Sequence, residues 1–524
     1  MKRYYCIICI ICIQQTLVNA QGQLSGDFES NVEFYQRDSL IGAYGTPHYD
    51  DLLTGVNGWL NVYYQNQEQG FEAGIRLDVF NNSNLHNPGT PYTAQGIGRW
   101  YVKKKFDNLT ISGGYLYDQI ANGLIFRSYE ERPLGIDNAL FGLELEYQLT
   151  ENLTLKAFAG QQKDLFSTYK PVLKGGTAEY TFGNGTVNFV PGVSILNRTL
   201  DQDNMNTIIS TINSYPVEDR FVPKYNMYAG SYYHTLNVKN IAWNLELAVK
   251  SEEAVRATDG NLFNANGYAA FTALSYSVKG FGITGQFRKV QDWAMRISPN
   301  EVLLDGIIDY LPAMSRQNST RLTARYQAVA QELGENAFQF NITYTPSKGN
   351  TLGVNYSQTF NADTLLFREI YADYEMRRKK YKLLFGGQYI QYNQEVFEFK
   401  PNAPMVEPIT PFVEFTYKLD RKKSFRLEAQ YQYNDHDYGS WIFGLIEFNI
   451  APQWSFSASD MWNYKPLKTT DALHYPMLAA VYTYKASRFS LSYVKQTEGI
   501  VCTGGVCRYE PAFSGYKFGI LTNF

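Results

Sequence analysis

Apolar and polar residues alternate with a period of two in this chain of 524 residues, and this pattern most constrains its fold. In the stretch ALFGLELEYQL, Leu143, Leu145 and Tyr147 share one face of an extended segment, whereas Glu144 and Glu146 share the other. The same alternation recurs at residues 241–250, 369–377 and 425–433. These segments run for about ten to thirteen residues, which exceeds the usual strand of a globular protein and matches a strand that crosses a bilayer.

Two classes of protein fit long amphipathic strands, a secreted β-sandwich and a membrane β-barrel. A sandwich must hide every apolar face between two sheets, but here nearly every predicted strand has one apolar and one charged face. Aromatic residues make up 16% of the chain, and beyond the N-terminus the sequence has no apolar run long enough for a membrane helix. We therefore predict an all-β fold, a transmembrane antiparallel β-barrel with lipid outside and water inside.

The connections between the predicted strands alternate between short and long. Short turns are expected at 65–69, 106–108, 150–152, 184–185, 238–240, 280, 346–349, 377–380, 419–423, 451–453 and 485–487. Longer polar loops are expected at 38–52, 82–95, 119–138, 162–173, 196–224, 251–265, 291–334, 361–365, 394–407, 435–438, 463–474 and 497–511. This alternation predicts about 24 strands, with the short turns in the periplasm. Because segments 121–128 and 319–330 are also strand-like, 26 strands is the alternative.

The N-terminus resembles an export signal. Lys2 and Arg3 precede an apolar stretch from Tyr4 to Ile13, and Val18-Asn19-Ala20 is a small-residue cleavage pattern. We predict a signal peptide at residues 1–20 and a single barrel domain at 21–524. A lipoprotein signal ending at Cys12 is a weaker alternative, because Ile11 occupies the place of a small residue.

Two cysteines, Cys502 and Cys507, lie beyond the predicted signal peptide and flank a Gly-Gly turn. In an exported protein this spacing predicts a disulfide that closes a small loop. A redox pair or half a metal site is the alternative, but nothing nearby resembles a second pair of ligands.

A circular barrel of 24 strands would measure roughly 45–50 Å across, too wide for its wall side chains to fill. Inward-folded loops, a flattened barrel or a partner protein would have to narrow it. The longest loops, 119–138, 196–224 and 291–334, are the candidates. The first carries Arg127, Glu130, Glu131, Arg132 and Asp137, which are candidates for a charged constriction. An ordinary solvated outer loop is the alternative. Within 291–334, residues 298–312 have a helical spacing of apolar residues and predict a short helix.

No motif indicates catalysis or a cofactor. The sequence lacks HExxH and Gly-x-Ser-x-Gly, and the cluster NDHDYGS around His436 consists of common turn residues. We predict no enzymatic activity, no metal and no cofactor. The formal charge of −3, without a dominant basic patch, argues against a nucleic-acid partner.

The last residues resemble the C-terminal strand of outer-membrane barrels, which the barrel-assembly machinery recognises. Lys517, Gly519 and Phe524 match that pattern, whereas Thr522 replaces a usual aromatic. With RSYEERPLGIDNALFG (127–142) and YLPAMSRQNS (310–319), the chain resembles a large porin-like outer-membrane barrel family of Bacteroidota. The resemblance implies fold and outer-membrane location, not a substrate.

Polar residues on the inner faces of the predicted strands favour a porin-like or substrate-selective passage for polar solutes. The alternative is a scaffold or secretion-associated barrel with a blocked lumen. Outer-membrane lipid and the assembly machinery are expected partners, and a plugging or periplasmic protein would be a further one.

Overall fold

The structure of the chain is a computed structural model that describes residues 22–183, 185–503 and 506–524, with the backbone alone at 501–503. The predicted signal peptide at residues 1–20 lies outside the described residues. Within them, one antiparallel sheet of 24 strands closes into a barrel, as the sequence predicts.

The barrel strands follow chain order around the ring. They are β1 Gln23–Tyr35, β2 Thr54–Asn66, β3 Phe71–Ser83, β4 Tyr92–Phe106, β5 Leu109–Leu116, β6 Leu140–Gln148, β7 Leu153–Asp164, β8 Val172–Tyr180, β9 Val187–Thr199, β10 Asn226–Val238, β11 Ile241–Arg256, β12 Leu262–Val278, β13 Phe281–Gln291, β14 Gly334–Ser347, β15 Asn350–Asn361, β16 Thr364–Arg377, β17 Tyr381–Asn393, β18 Ile409–Lys418, β19 Lys423–Gln432, β20 Gly439–Ile450, β21 Trp454–Pro466, β22 His474–Tyr484, β23 Ser487–Gln496 and β24 Phe513–Asn523.

The first and last strands close the ring. Antiparallel pairing of β1 with β24 runs from Asp27 opposite Asn523 to Tyr35 opposite Gly515. Phe524 extends this seam, because its amide donates to the carbonyl of Gly26 at 2.9 Å and its carbonyl accepts from the Gly26 amide at 2.8 Å. The barrel therefore has no unpaired strand edge at its seam.

All eleven predicted short turns join strands at one end of the barrel, and all twelve predicted loops join them at the other. We call these the short-turn end and the long-loop end. The two extra strands of the 26-strand alternative do not form. Segment 319–330 contains no strand, and in segment 121–128 only Arg127–Ser128 is extended, paired with Asp118–Gln119.

The wall has an apolar outer face. In β3, Ile75, Leu77 and Val79 are exposed on the outside, whereas Arg76 and Asp78 are buried inside the barrel. Aromatic residues pack against one another on the outer surface near the short-turn end, in the pairs Tyr64–Phe71, Tyr180–Phe182, Tyr417–Phe425 and Trp454–Tyr482. Such an aromatic belt beside an apolar band is typical of a membrane barrel.

Helices occur only locally in the described loops. Helix α1, Gln202–Asn213, is capped by Asp201 and buries Met205, Ile208 and Ile212. Helix α2 is the single turn Gln394–Phe397. Short helical turns are found at Ser39–Ile41, His48–Leu52, Arg132–Leu134 and Val217–Asp219. A two-stranded hairpin, Gly499–Thr503 and Val506–Glu510, projects from the last loop.

The helix predicted at 298–312 is wrong. These residues are all described and form turns and extended chain. Leu303 and Gly306 have φ values of 55° and 68°, a left-handed conformation that interrupts a helix. Of the apolar side chains with the helical spacing, Leu311 is buried in the barrel core, whereas Val302 and Leu303 are exposed.

Gly515 offers a test of the seam. Its φ is +149°, and a Cβ there would lie 1.9 Å from the carbonyl oxygen of Phe34. Gly515→Ala should therefore cost about 1–3 kcal/mol of barrel stability. We expect a lower denaturation midpoint for the refolded barrel in detergent. Gly444→Ala is the control, because its Cβ would meet no atom within 4 Å. Equal midpoints for both variants would contradict a strained seam.

Candidate functional site

Residues 117–139, which we call the first inward loop, fold into the barrel. The backbone amide of Asn122 donates to the carboxylate of Glu246 on β11 at 2.8 Å. On the opposite side of the loop, Arg132 pairs with Glu29 on β1 at 2.6 Å. Since both partners lie on the inner wall, the loop spans part of the lumen.

Residues 292–333, the second inward loop, cross the rest of the lumen. The carbonyl of Ile307 accepts from Gln162 on β7 at 2.6 Å, and the amide of Leu322 donates to Gln430 on β19 at 2.7 Å. Strands β7 and β19 are twelve positions apart in a ring of twenty-four (19 − 7 = 12). The loop therefore reaches opposite walls.

The two inward loops join into one body, which we call the plug. Arg127 donates its amide to the Ile308 carbonyl at 2.8 Å, and the Trp293 indole donates to the Leu124 carbonyl at 2.9 Å. Around these bonds lies an apolar core that contains Ile120, Leu124, Ile125, Phe126, Trp293, Met295, Ile297, Ile308, Leu311 and Met314. Loops 119–138 and 291–334 thus fold into the lumen and narrow it. Inward-folded loops are one of the ways to narrow the lumen that follow from the sequence.

Part of the inner wall that faces the plug is apolar, beside polar wall residues such as Glu246 that bond to the loops. Ala229, Ala248, Ala269 and Phe271 on β10 to β12 belong to the same core. Small side chains let the loops approach the wall closely, and burial of this apolar surface stabilises the plug at about 25 cal/mol per Å². Sequence alternation cannot separate this face from a lipid-facing one, because both are apolar.

The predicted constriction residues divide into two groups. Arg76 on β3 forms ion pairs with Glu130 at 2.7 Å and with Asp137 at 2.6 Å. Arg132 pairs with the same Glu130 at 2.9 Å. Arg127 instead stacks on Tyr129 and Tyr310, with its guanidinium 4.1 and 4.0 Å from the rings. Among the described residues, Glu131 forms no ion pair. The first group thus anchors the loop, and a constriction in a conducting passage stays a prediction.

Asp137 is the most heavily bonded carboxylate of this cluster. It accepts hydrogen bonds from Tyr117 at 2.8 Å, from Arg76 and from Lys163. Burial by itself would raise the pKa of Asp137, but the charges of Lys163 and Arg76 outweigh it and lower the pKa below the ordinary 3.8. Its stabilisation is therefore present at neutral pH and is lost only as the pH falls below about 4.

Other buried ion pairs escaped the sequence analysis. Glu253 on β11 pairs with Arg198 on β9 at 2.8 Å and with Lys250 at 2.6 Å, and Arg288 on β13 pairs with Glu335 on β14. Arg288 also donates to the carbonyl of Pro312 in the second inward loop. The sequence does show charged residues at inward positions of long strands, and these indicate that such pairs could form. It does not show which residues pair, because the partners depend on strand register.

Above the plug, towards the long loops, lies a cavity of about 1820 Å³. We call it the outer cavity. Loop residues supply charged groups to its wall, among them Glu301, Arg321, Arg325, Glu398, Lys400, Asp437, Lys468 and Glu498. Its volume exceeds the 300–1,000 Å³ typical of small-ligand pockets, so it could hold a sizeable polar solute.

Below the plug, the inner wall near the short-turn end is polar. Arg426 on β19 lies between three carboxylates, with Glu414 at 3.1 Å, Glu428 at 3.4 Å and Glu447 at 3.2 Å. Lys382 on β17 bonds to Glu414 at 2.6 Å, and its side chain is 29% exposed. Charged and accessible wall residues thus lie on both sides of the plug.

The cluster around His436 does not form a catalytic triad. Ser440 donates to the carbonyl of Asn434 at 3.1 Å, and Asp437 is bonded to Lys468 at 2.6 Å and Tyr326 at 2.9 Å. Within the described ranges, no group of three His, Cys, Asp or Glu residues could hold a metal ion. Nor does any helix of that part of the chain have the length and apolarity to span a membrane.

The predicted disulfide is only partly visible. Cys502 and Cys507 lie opposite each other in the register of the last hairpin, and Cys507 is disulfide-bonded. Because the side chain of Cys502 is outside the described part, the pairing of these two cysteines stays a prediction. In the C-terminal strand, Lys517 bonds across the seam to Glu33 at 2.7 Å. A role of Lys517, Gly519 and Phe524 as an insertion signal is untested.

Over residues 1–524 the chain matches the family described as a family of unknown function (DUF6029), and it belongs to that family. No curated protein matches it. Its fold is similar to the P pilus usher PapC translocation pore, with a TM-score of 0.43 and 8% identity over 95% of this chain and 99% of the other. It is also similar to the siderophore receptor PirA from Pseudomonas aeruginosa, with a TM-score of 0.41 and 9% identity over 96% of this chain and 80% of that one. A third similar structure is OccAB3 of Acinetobacter baumannii, with a TM-score of 0.34 and 8% identity over 71% of this chain and 93% of the other.

Asp137 provides a test of the anchoring cluster. Asp137→Ala leaves Arg76 and Lys163 without a shared carboxylate, and we expect a loss of about 3–5 kcal/mol from the anchored loop. Limited trypsin digestion should then cut the folded barrel after Arg127 much faster than it cuts the wild type, whereas Arg132 precedes Pro133 and is not a trypsin site.

Glu131→Ala is the matched control, since it removes one carboxylate from the same loop but no ion pair of the described residues. Similar digestion rates for the two variants would show that the cluster does not hold the loop.

Proposed function

We propose that this member of the DUF6029 family is an outer-membrane barrel that gives polar solutes a selective passage, with the plug as its gate. The apolar band and the aromatic belt on the outer face support a membrane location. Export through a cleaved signal peptide at residues 1–20, proposed from the sequence, fits that location.

The observation that carries the passage is the distribution of charge along the lumen. The outer cavity above the plug and the wall around Arg426 below it both expose charged side chains to water. Between them lies the apolar plug core. A barrel that served only as a scaffold would not require polar surfaces in its lumen on both sides of the plug.

Passage requires movement of the plug, and its contacts indicate which part moves. The first inward loop is anchored by the ion cluster around Arg76. The stretch 300–306 of the second loop consists of turns beside the outer cavity and contributes Glu301, Val302 and Leu303 to its wall, with Val302 and Leu303 exposed. We therefore expect the second loop to yield first when a solute enters.

A blocked scaffold is the second candidate function, and a specific observation favours it. The plug bonds to the wall at positions spread around the ring, from β1 to β20, by ion pairs, wall glutamines and an Arg325–Trp441 contact. Such a body could close the barrel permanently while the outer loops bind a partner protein.

Planar-bilayer conductance separates the two functions. For a gated passage, the wild-type barrel should show stepwise openings, and replacement of residues 300–328 by a short Gly-Ser linker should raise the mean conductance roughly tenfold, because unplugged barrels of this size leave an aqueous channel.

Replacement of residues 206–213 of helix α1 by the same linker is the control, since this part of the helix packs on Ala254 and Leu262 at the wall and Asn204, which bonds to Asn300 of the second loop, stays in place. A wild-type barrel that stays silent while the 300–328 variant conducts would favour the blocked scaffold. Unchanged conductance in the 300–328 variant would show that this loop is not the gate.

A further inference from the structure

A single turn of the second inward loop places two arginines close together. The amide of Ala324 donates to the carbonyl of Thr320 at 3.1 Å, which closes the turn. Arg321 lies within this turn and Arg325 directly follows it, close enough for their charges to interact. Both line the outer cavity.

The barrel wall fixes this turn through three buried glutamines. Gln430 accepts from the Leu322 amide at 2.7 Å, and Gln432 donates to the Leu322 carbonyl at 3.0 Å. Gln388 donates to the carbonyl of Thr323 at 3.1 Å. With its backbone held at two consecutive residues, the turn offers a preorganised position for the arginine side chains.

Neither arginine has an anionic partner in the described part of the chain. Three other arginines of the plug, Arg132, Arg296 and Arg316, each pair with a carboxylate, and Arg127 stacks between two tyrosine rings. The Nε of Arg325 is buried and without a hydrogen-bond acceptor. Its guanidinium lies 4.4 Å from the ring of Trp441, which leaves the fork of nitrogens free on the cavity side.

Placing these two charges together is unfavourable. Arg321 is exposed to the cavity, but its enclosure within the barrel lowers its pKa, and the neighbouring charge of Arg325 lowers it further. The nearby carboxylate of Asp437 is already bonded to Lys468 at 2.6 Å and to Lys400 at 3.5 Å. Like charges four residues apart destabilise a turn unless an anion binds between them.

We propose that Arg321 and Arg325 form an anion-binding subsite on the wall of the outer cavity. It takes the phosphate or carboxylate group of a solute, because the planar arginine fork matches the oxygens of both groups. The site lies inside the ring of strands, so a free solute reaches it rather than a membrane lipid. This inference rests on the proposed function and gives the solute class of the passage as anionic.

Calorimetric titration of the full-length barrel in detergent with inorganic phosphate, at low ionic strength, tests the subsite. Arg321→Gln and Arg325→Gln should each lower the affinity by about tenfold, as expected for loss of one charge-assisted hydrogen bond. The double variant should bind no phosphate in the measured range. Heat-dependent electrophoretic mobility confirms that each variant is folded.

Arg37→Gln is the charge-matched control, since Arg37 lies in an outer loop, is 65% exposed and does not line the cavity. Phosphate affinity equal to wild type in the double variant, or lost equally in the control, would overturn the subsite. So would an absence of phosphate and acetate binding to the wild-type barrel.

Conductance measurements on the same proteins distinguish failure of the subsite from failure of the proposed passage. Arginine-dependent binding in a barrel that carries no current would support the subsite and overturn the passage. A conducting barrel without arginine-dependent binding would overturn the subsite alone.

Discussion

Closure of the ring is the constraint on which the rest of the structure depends. Lipid offers no hydrogen bonds to the backbone, so every strand must have two neighbours, and β1 must find β24. Twenty-four strands satisfy this requirement but enclose a lumen that wall side chains cannot fill. The plug is the consequence, because an empty lumen of that width would be a wide aqueous channel through the membrane.

The chain fills its lumen with its own loops, and it does so by building a second core. The outer band is apolar towards lipid, and apolar side chains on the inner wall of β10 to β12 pack against the plug beside the bonded Glu246. Apolar packing holds the two inward loops in the lumen, and buried ion pairs then fix the orientation of these loops. Removal of one partner would leave a buried charge unpaired, which costs more than the pair contributes.

The arrangement leaves two aqueous compartments of different character. The outer cavity contains Arg321 and Arg325 without carboxylate partners in the described chain, whereas the lower wall neutralises Arg426 with three carboxylates. An anionic solute would therefore be attracted by the two arginines before the plug, whereas the three carboxylates beyond it outnumber Arg426 and Lys382 and would not hold the solute.

Much of this fold follows from the sequence alone. Period-two alternation, strand length and the alternation of short and long connections are local properties, and they predict an antiparallel membrane-type barrel of about 24 strands. Loop composition pointed to 119–138, since apolar and charged residues are mixed there as in Leu124, Phe126 and Arg132.

Only the tertiary structure decided what the loops do. The helical spacing at 298–312 does not correspond to a helix, because Leu303 and Gly306 turn the chain so that Leu311 is buried and Leu303 is exposed. The partners of Asp137 are Arg76 on β3 and Lys163 on β7, strands brought together by the ring and not by sequence proximity. Likewise, the free arginines at 321 and 325 become a candidate site only because wall glutamines far away in sequence hold their turn in the cavity. Pairings over such distances depend on register and closure, which no local pattern encodes.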